Sequence, residues 1–237
     1  MKLMQKSICA LAVLAATATS FTAQAADTVD LTVIGTITPS VCVPTLAGGG
    51  VYDVGTIKAA TLSATALNGV TTQTKQLSIV CDAPTKVAIK AVNKRLNTAA
   101  DTTEVAATGA APAPTSLVTW RGHNVVGLGL DGSSRIGGYS LYNTGTVNAD
   151  NNTVDVITAD DAAHTAWTKG SGTPNMYGIG AAPRLLTVAA TGTTVPVAFT
   201  SLTMNVSATV YVNKASELDL TKDIKLNGMT TLEMVYL

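Results

Sequence analysis

The chain has 237 residues and a formal net charge of zero, from 15 basic and 15 acidic side chains. Hydrophobic residues make up 46% of the sequence and charged residues 13%, which is about half the usual charged fraction of globular proteins. Disordered chains combine low hydrophobicity with high charge, so this composition favours a folded protein. Nucleic-acid binding needs clustered Lys and Arg side chains, and we therefore expect no nucleic-acid partner.

Residues 1–25 have the features of a secretory signal peptide. A segment with two lysines precedes a short apolar run at 8–16, and Ala23 and Ala25 place small residues where signal peptidase reads them. The apolar run is too short to cross a bilayer. The remaining sequence, residues 26–237, has no apolar stretch of spanning length. We therefore expect an exported chain with one domain over 26–237 and no membrane span.

Two cysteines, Cys42 and Cys81, remain after removal of the signal peptide. An even number of cysteines in an exported chain predicts a disulfide, because the compartment outside the inner membrane is oxidising. The alternatives are a metal site or a cysteine nucleophile; a metal site needs further ligands, and the only histidines in the sequence are His123 and His164. The sequence therefore predicts a structural disulfide, with no metal and no cofactor.

Apolar and polar residues alternate along most of the chain with the period of β-strands. The longest alternation is at 202–212, where the apolar residues all fall on one face. The stretches 96–119 and 143–175 are polar or rich in Ala, Thr and Pro, and we interpret them as long surface insertions. Short strands separated by turns favour an antiparallel β-sandwich. The predicted strands are 29–33, 77–81, 86–92, 125–130, 202–212 and 230–237, with turns at 82–84 and 131–132.

Candidates for catalysis and ion binding are few. His123 and His164 lie in polar or turn-like stretches, where a triad or metal site would need partners from elsewhere. The adjacent carboxylates at 160–161 would point to opposite faces of a strand. Oxygen-bearing residues at 148–155 have calcium-like spacing but lack the glycine and closing glutamate of an EF-hand loop. We expect all of these residues to be structural or solvated, and the protein not to be an enzyme.

The last strand is the most informative segment. Leu232, Met234 and Tyr236 alternate with their neighbours, and the hydrophobic pattern continues to the end of the sequence, where domains usually have a polar tail. A terminal strand without a following partner leaves an edge that invites strand addition. The alternative is an ordinary paired edge strand of a closed sandwich.

The order of these segments resembles that of bacterial pilins assembled by the chaperone–usher route, and most closely the GltF-type group of fimbrial-like proteins. An alternating segment at 29–37 leads to Cys42. Residues 52–57 resemble the segment that such subunits carry between their two cysteines, and 77–82 resemble the strand that ends at the second cysteine. The terminal strand with its penultimate Tyr236 completes the set.

The resemblance implies an all-β fold, an incomplete immunoglobulin-like sandwich that lacks its last strand. In such subunits a periplasmic chaperone fills the gap first, and the N-terminal extension of the next subunit then replaces it. The implied partners are therefore the chaperone, an outer-membrane usher and other pilus subunits. The implied site residues are Cys42 and Cys81 for the disulfide, Leu232, Met234 and Tyr236 for the chaperone-binding strand, and Val29, Leu31 and Val33, within 26–37, for the donor strand.

Two features depart from typical shaft pilins: the exported chain is longer, and no glycine lies near Val29. The leading hypothesis is a structural subunit of a fimbria, exported through the periplasm to the cell surface and contributing to cell adhesion. One alternative is a surface or tip module whose segments 96–119 and 143–175 contact a glycan or a host protein. The other is a periplasmic fimbrial-like protein that does not polymerise.

Overall fold

The structure, a computed structural model, describes residues 31–237 apart from 37, 39, 121 and 171. The chain divides into two units, Met1–Thr38 and Pro39–Leu237. The described residues of the first unit have no regular secondary structure. The expected signal peptide and Val29 lie outside the described residues.

The second unit is built from β-strands and short 3-10 helices, which confirms the predicted all-β class. No helix in the described part of the chain is long and apolar enough to cross a bilayer. The 3-10 helices are Ala47–Gly50, Ala59–Thr61, Val118–Trp120 and Ala215–Glu217. The strands are β1 (Cys42–Leu46), β2 (Asn68–Thr85), β3 (Val87–Asn93), β4 (Ala111–Pro112), β5 (Asn124–Gly127), β6 (Leu130–Asp131), β7 (Ser134–Arg135), β8 (Gly137–Ala149), β9 (Asn152–Ala159), β10 (Thr168–Lys169), β11 (Leu185–Ala190), β12 (Phe199–Val212) and β13 (Thr230–Tyr236).

The main sheet has the strand order β1-β2-β12-β8-β9-β11-β3-β13, and all neighbours in it are antiparallel. Strands β8 and β9 are joined only by the short ladder between 147–149 and 152–154. The sheet folds over there into a sandwich with β1, β2, β12 and β8 in one layer and β9, β11, β3 and β13 in the other. Strands β1 and β13 are the two ends of the order, so each pairs with one strand among the described residues.

Strand β12 lies at the centre of its layer, between β2 and β8. Its alternation was the clearest in the sequence, and the predicted face is buried along its whole length. Burial of a large aliphatic side chain contributes about 1.5–3 kcal/mol, so this face is a major part of the core. Its residues are Leu202, Met204, Val206, Ala208, Val210 and Val212, each at most 6% exposed.

The turn predicted at 82–84 is wrong, because β2 continues through it to Thr85. Asp82 extends the edge beside β1: its main-chain N–H donates to the Val41 carbonyl, and its carboxylate accepts from the Val41 N–H. Only Lys86 separates β2 from β3, and the two strands pair with different neighbours. The chain therefore crosses from one layer to the other at this point without forming a hairpin.

The interpretation of 143–175 as a surface insertion is wrong for its first half. Strands β8 and β9 occupy this sequence as a hairpin, with Asp150 and Asn151 in left-handed conformation at its turn (φ 47° and 65°). Asn and Asp adopt this conformation more readily than other non-glycine residues, which explains the tight turn. The segment 96–119 is also partly internal, because Ala110 and Ala111 are fully buried.

Candidate functional site

An apolar groove lies at the open seam of the sandwich, between the end strands β1 and β13. We call it the seam groove. Its volume is about 360 Å³. Its floor is the core face of the β12 layer, and its walls come from the end strands and the segment after β1. Characteristic lining residues are Leu46, Tyr52, Val54, Leu141, Val206 and Leu232.

Strand β13 forms one wall of the seam groove. It pairs with β3 along its whole length, from Thr230 opposite Asn93 to Tyr236 opposite Val87, and no described strand pairs with its other edge. On the outer side, the Glu233 carboxylate and the Lys90 ammonium group form a 2.6 Å ion pair. The hydrogen bond from Lys90 lowers the pKa of Glu233. Strand β13 therefore has a fixed register with β3, and its other main-chain edge pairs with no described strand.

The residues predicted to bind a chaperone differ in their position on β13. Leu232 lines the seam groove, and Met234 is partly buried and packs against the core. Tyr236 is 51% exposed at the end of the strand. Of the three side chains, only Leu232 therefore lines the seam groove; Met234 packs on the core, and Tyr236 lies half exposed.

The two end strands of the sheet are linked through Cys42. The Tyr236 hydroxyl accepts a 2.9 Å hydrogen bond from the Cys42 main-chain N–H. Cys42 forms the predicted disulfide with Cys81, its direct partner across β1 and β2. The start of β1 is thus tied covalently to β2 and by a hydrogen bond to β13. A disulfide also fits a protein that is exported to an oxidising compartment.

The start of β13 is held by a cluster of hydroxyl groups. The Thr230 hydroxyl lies 2.6 Å from the Tyr139 hydroxyl and 2.7 Å from the Tyr177 hydroxyl. Burial raises the pKa of Tyr139 to about 12 and also raises the pKa of Tyr177. Both phenols therefore stay protonated over the physiological range, and each can donate or accept a hydrogen bond with Thr230.

Residues 51–57, which we call the strap, follow the first 3-10 helix after β1, and Val51, Tyr52 and Val54 of the strap line the seam groove. The Tyr52 hydroxyl donates a 2.9 Å hydrogen bond to the main-chain carbonyl of Val206 in β12. The Lys75 ammonium group lies 5.6 Å from the centroid of the Tyr52 ring, within the range of a cation–π contact. Burial raises the pKa of Tyr52 to about 12. Sequence reasoning did not select Tyr52 as a site residue, although its alternation with Val54 was a signal.

The two histidines make separate structural contacts. The His123 ring packs edge-to-face on Tyr142, with centroids 4.6 Å apart, and its Nδ1 lies 3.2 Å from the Ser140 hydroxyl. Burial lowers the pKa of His123, which favours the neutral ring. The His164 Nε2 atom lies 3.0 Å from the Pro183 carbonyl oxygen.

The carboxylates that the sequence suggested for catalysis or calcium have protein donors as partners. The Asp160 carboxylate accepts a 2.7 Å hydrogen bond from Nε of Arg184. Asp155 accepts from the Gly192 N–H and the Lys169 ammonium group, both at 2.7 Å. Among the described residues, no group of three or more His, Cys, Asp or Glu side chains is placed to hold a metal ion.

The described part of the predicted donor segment is exposed. Leu31, Val33 and Ile34 are 88–89% exposed, and no strand forms over 31–36. The strand predicted at 29–33 is therefore absent from its described residues, because a strand requires a paired neighbour. The role of Leu31 and Val33 as donor residues stays a prediction.

Comparison with known proteins gives two sequence matches. A family model described as "Protein of unknown function (DUF1120)" matches residues 31–140. Protein GltF of Escherichia coli (strain K12) is 31% identical over 240 residues, and the alignment covers 92% of each of the two chains. No solved structure matches the chain.

Proposed function

Because the chain belongs to the family of the Escherichia coli protein GltF and its sandwich has an open seam, we propose that it is a structural subunit of a fimbria. Its seam groove accepts a β-strand from another protein. A periplasmic chaperone supplies that strand first, and a second subunit supplies it after transfer at an outer-membrane usher. The observation that carries the proposal is an apolar groove bordered by the free edge of β13.

Strand addition suits this groove on physical grounds. An added strand would form main-chain hydrogen bonds with the free edge of β13, and its alternate side chains would enter the groove. Exposed edges beside apolar surface are aggregation hazards that native proteins cover. A groove lined by Leu141, Val206 and Leu232 therefore favours an occupant whose apolar residues recur at every second position.

The N-terminal segment of a second copy has that pattern. Leu31 and Val33 would point to the same side of a strand, and Thr32 to the other. Both apolar side chains are almost fully exposed here, so their transfer into a groove would contribute about 1.5–3 kcal/mol each before ordering costs. The proposal therefore gives Leu31 and Val33 the role of donor residues.

The alternative of a glycan-binding or host-binding tip module receives less support. It requires the segments 96–119 and 143–175 to present binding side chains. Instead, Ala110 and Ala111 of the first segment are buried, and the second begins with strands of the main sheet.

Peptide capture tests the proposed function. The acceptor is the chain of residues 26–237 with Leu31→Asp, whose own N-terminal segment then competes poorly. The probe is a fluorescent peptide of residues 27–38, and fluorescence anisotropy measures its binding. We expect capture of the natural peptide and of a matched Thr32→Asp peptide. We expect at least a tenfold weaker capture of a Leu31→Asp peptide, because an unpaired carboxylate is costly in an apolar groove. Equal binding of all three peptides would refute strand addition.

A further inference from the structure

The strap begins directly after a run of glycines. It follows three consecutive glycines, at positions 48, 49 and 50, with φ values of 63°, 63° and 76°. Residues other than glycine adopt these left-handed values with difficulty. The run therefore combines a sharp change of direction with freedom to rotate, as a hinge requires.

Side chains, rather than main-chain pairing, fasten the strap to the sandwich. Within the described structure, no main-chain hydrogen bond joins 52–57 to a strand. The polar contacts are the bond from the Tyr52 hydroxyl to the Val206 carbonyl, a bond from the Gln73 side-chain amide to the Asp53 carbonyl, and the Lys75 ammonium group over the Tyr52 ring. Such a segment can detach without the loss of a β-ladder.

Tyr52 lies inside the seam groove itself. Its ring packs against the core beside Val54, and its hydroxyl reaches the central strand β12 at Val206. Val206 is also a lining residue of the groove, so the phenol covers part of the surface that an added strand would contact. The hydroxyl is half-buried and has a main-chain acceptor, which makes its position specific.

We propose that the strap is an internal cover for the seam groove: Tyr52 fills part of the empty groove, and the strap swings outward on the three glycines when a strand enters. This inference rests on the proposed function and adds a regulatory step to it. Entry of a strand then requires the bond between Tyr52 and Val206 to break. The cover protects apolar surface in the unoccupied subunit and slows capture of an incoming strand.

Removal of the hydroxyl group alone should therefore make strand entry faster. A hydrogen bond of this kind contributes about 0.5–1.5 kcal/mol net, which corresponds to roughly 2- to 10-fold in a rate or binding constant. We expect Tyr52→Phe to increase the association rate of the 27–38 peptide by that factor in the Leu31→Asp acceptor. Tyr52→Leu, which also removes the ring, should increase it at least as much.

The matched control is Tyr142→Phe in the same acceptor. The Tyr142 hydroxyl bonds to the Thr209 hydroxyl, and Tyr142 does not line the seam groove, so the association rate should not change. Thermal unfolding of each variant verifies that it is folded. If the parent acceptor captures the peptide and both Tyr52 variants bind it at the same rate or more weakly, Tyr52 is a fixed wall and the cover is refuted. If no acceptor captures the peptide, the proposed function fails as well.

Discussion

The hydroxyl group of Tyr236 accepts a hydrogen bond from the main-chain N–H of Cys42, across a donor–acceptor distance of 2.9 Å. The two residues are 194 positions apart and belong to the two end strands of the sheet. One side-chain bond therefore joins edges that no described strand bridges.

Tyr236→Phe should lower the free energy of unfolding by about 0.5–1.5 kcal/mol, because the Cys42 N–H loses its acceptor. Because Tyr236 is partly exposed, water can replace the lost hydrogen bond, so we expect the loss of unfolding free energy to lie towards the lower end of this range. Urea titration measures the change. Tyr142→Phe is the control and should cost less, since Thr209 keeps a hydrogen bond with the Thr72 hydroxyl when the Tyr142 hydroxyl is removed; an equal loss in both variants would contradict the importance of the link across the seam.

The disulfide between Cys42 and Cys81 closes a loop with a sequence separation of 39. Its removal should lower the free energy of unfolding by roughly 4 kcal/mol in the chain-entropy model. Urea titration with and without reductant measures this. A variant with serine at both positions should be equally unstable in both conditions. Labelling of both thiols in denatured, unreduced protein would contradict the bond.

Thr230→Val should destabilise the start of β13, because the hydroxyls of Tyr139 and Tyr177 lose a common partner in a buried site. Leaving a buried polar group unsatisfied costs about 1–3 kcal/mol. Thr230→Ser retains the hydroxyl group and is the matched control. In thermal unfolding, the parent and the serine variant should have similar melting temperatures, well above that of the valine variant. A valine variant as stable as the serine variant would show that the two phenols satisfy each other.

Asp150 should contribute to acid sensitivity. The hydrogen bond from the Thr200 hydroxyl, followed by that from the Ser201 N–H, lowers the pKa of Asp150 in the folded protein. Because the pKa of this carboxyl is lower in the folded protein than in the unfolded chain, where it is about 4, its ionised form stabilises the fold at higher pH. That stabilisation is lost as the pH falls through the pKa of the folded protein. Asp150→Asn should therefore show a smaller loss of stability between pH 5 and pH 2 (roughly the window set by these pKa values), in urea titrations. Parallel pH profiles would contradict this role.

Deletion of residues 26–34 should leave the free energy of unfolding within about 0.5 kcal/mol of the parent, because exposed positions contribute little to stability. Leu31, Val33 and Ile34 are all highly exposed. Urea titration of the parent and of the truncated chain measures the two free energies of unfolding. A loss of several kcal/mol would mean that this segment is a strand of its own domain rather than a donor.

The sequence predicted the strands whose patterns are simple. Strand β12 has apolar residues at every second position because one face is buried throughout, and β3 contains nearly continuous β-forming residues. The β8–β9 hairpin escaped notice because its turn residues, Asp150 and Asn151, lie among many other polar residues. Those polar residues alternate with buried ones such as Val147 and Ile157, but the spacing is irregular near the turn.

The seam groove was only partly predictable. The alternation of Leu232, Met234 and Tyr236 indicated a strand with an open edge. This strand is β13, which forms one wall of the seam groove. The floor and the strap depend on contacts between distant parts of the chain, such as Tyr52 with Val206. A single sequence has no local pattern that reports such a pair, because the strand order decides which residues meet.

The cross-strand disulfide has a mechanical consequence. A pulling force applied at the N-terminal segment reaches Cys42 and passes directly to Cys81, and thus to β2 beside the central strand of its layer. The chain between the two cysteines, including β1 and the strap, then bears no tension. In a force-extension experiment, the separation of 39 residues should shorten the unfolding extension by up to about 140 Å, and reduction should restore that length.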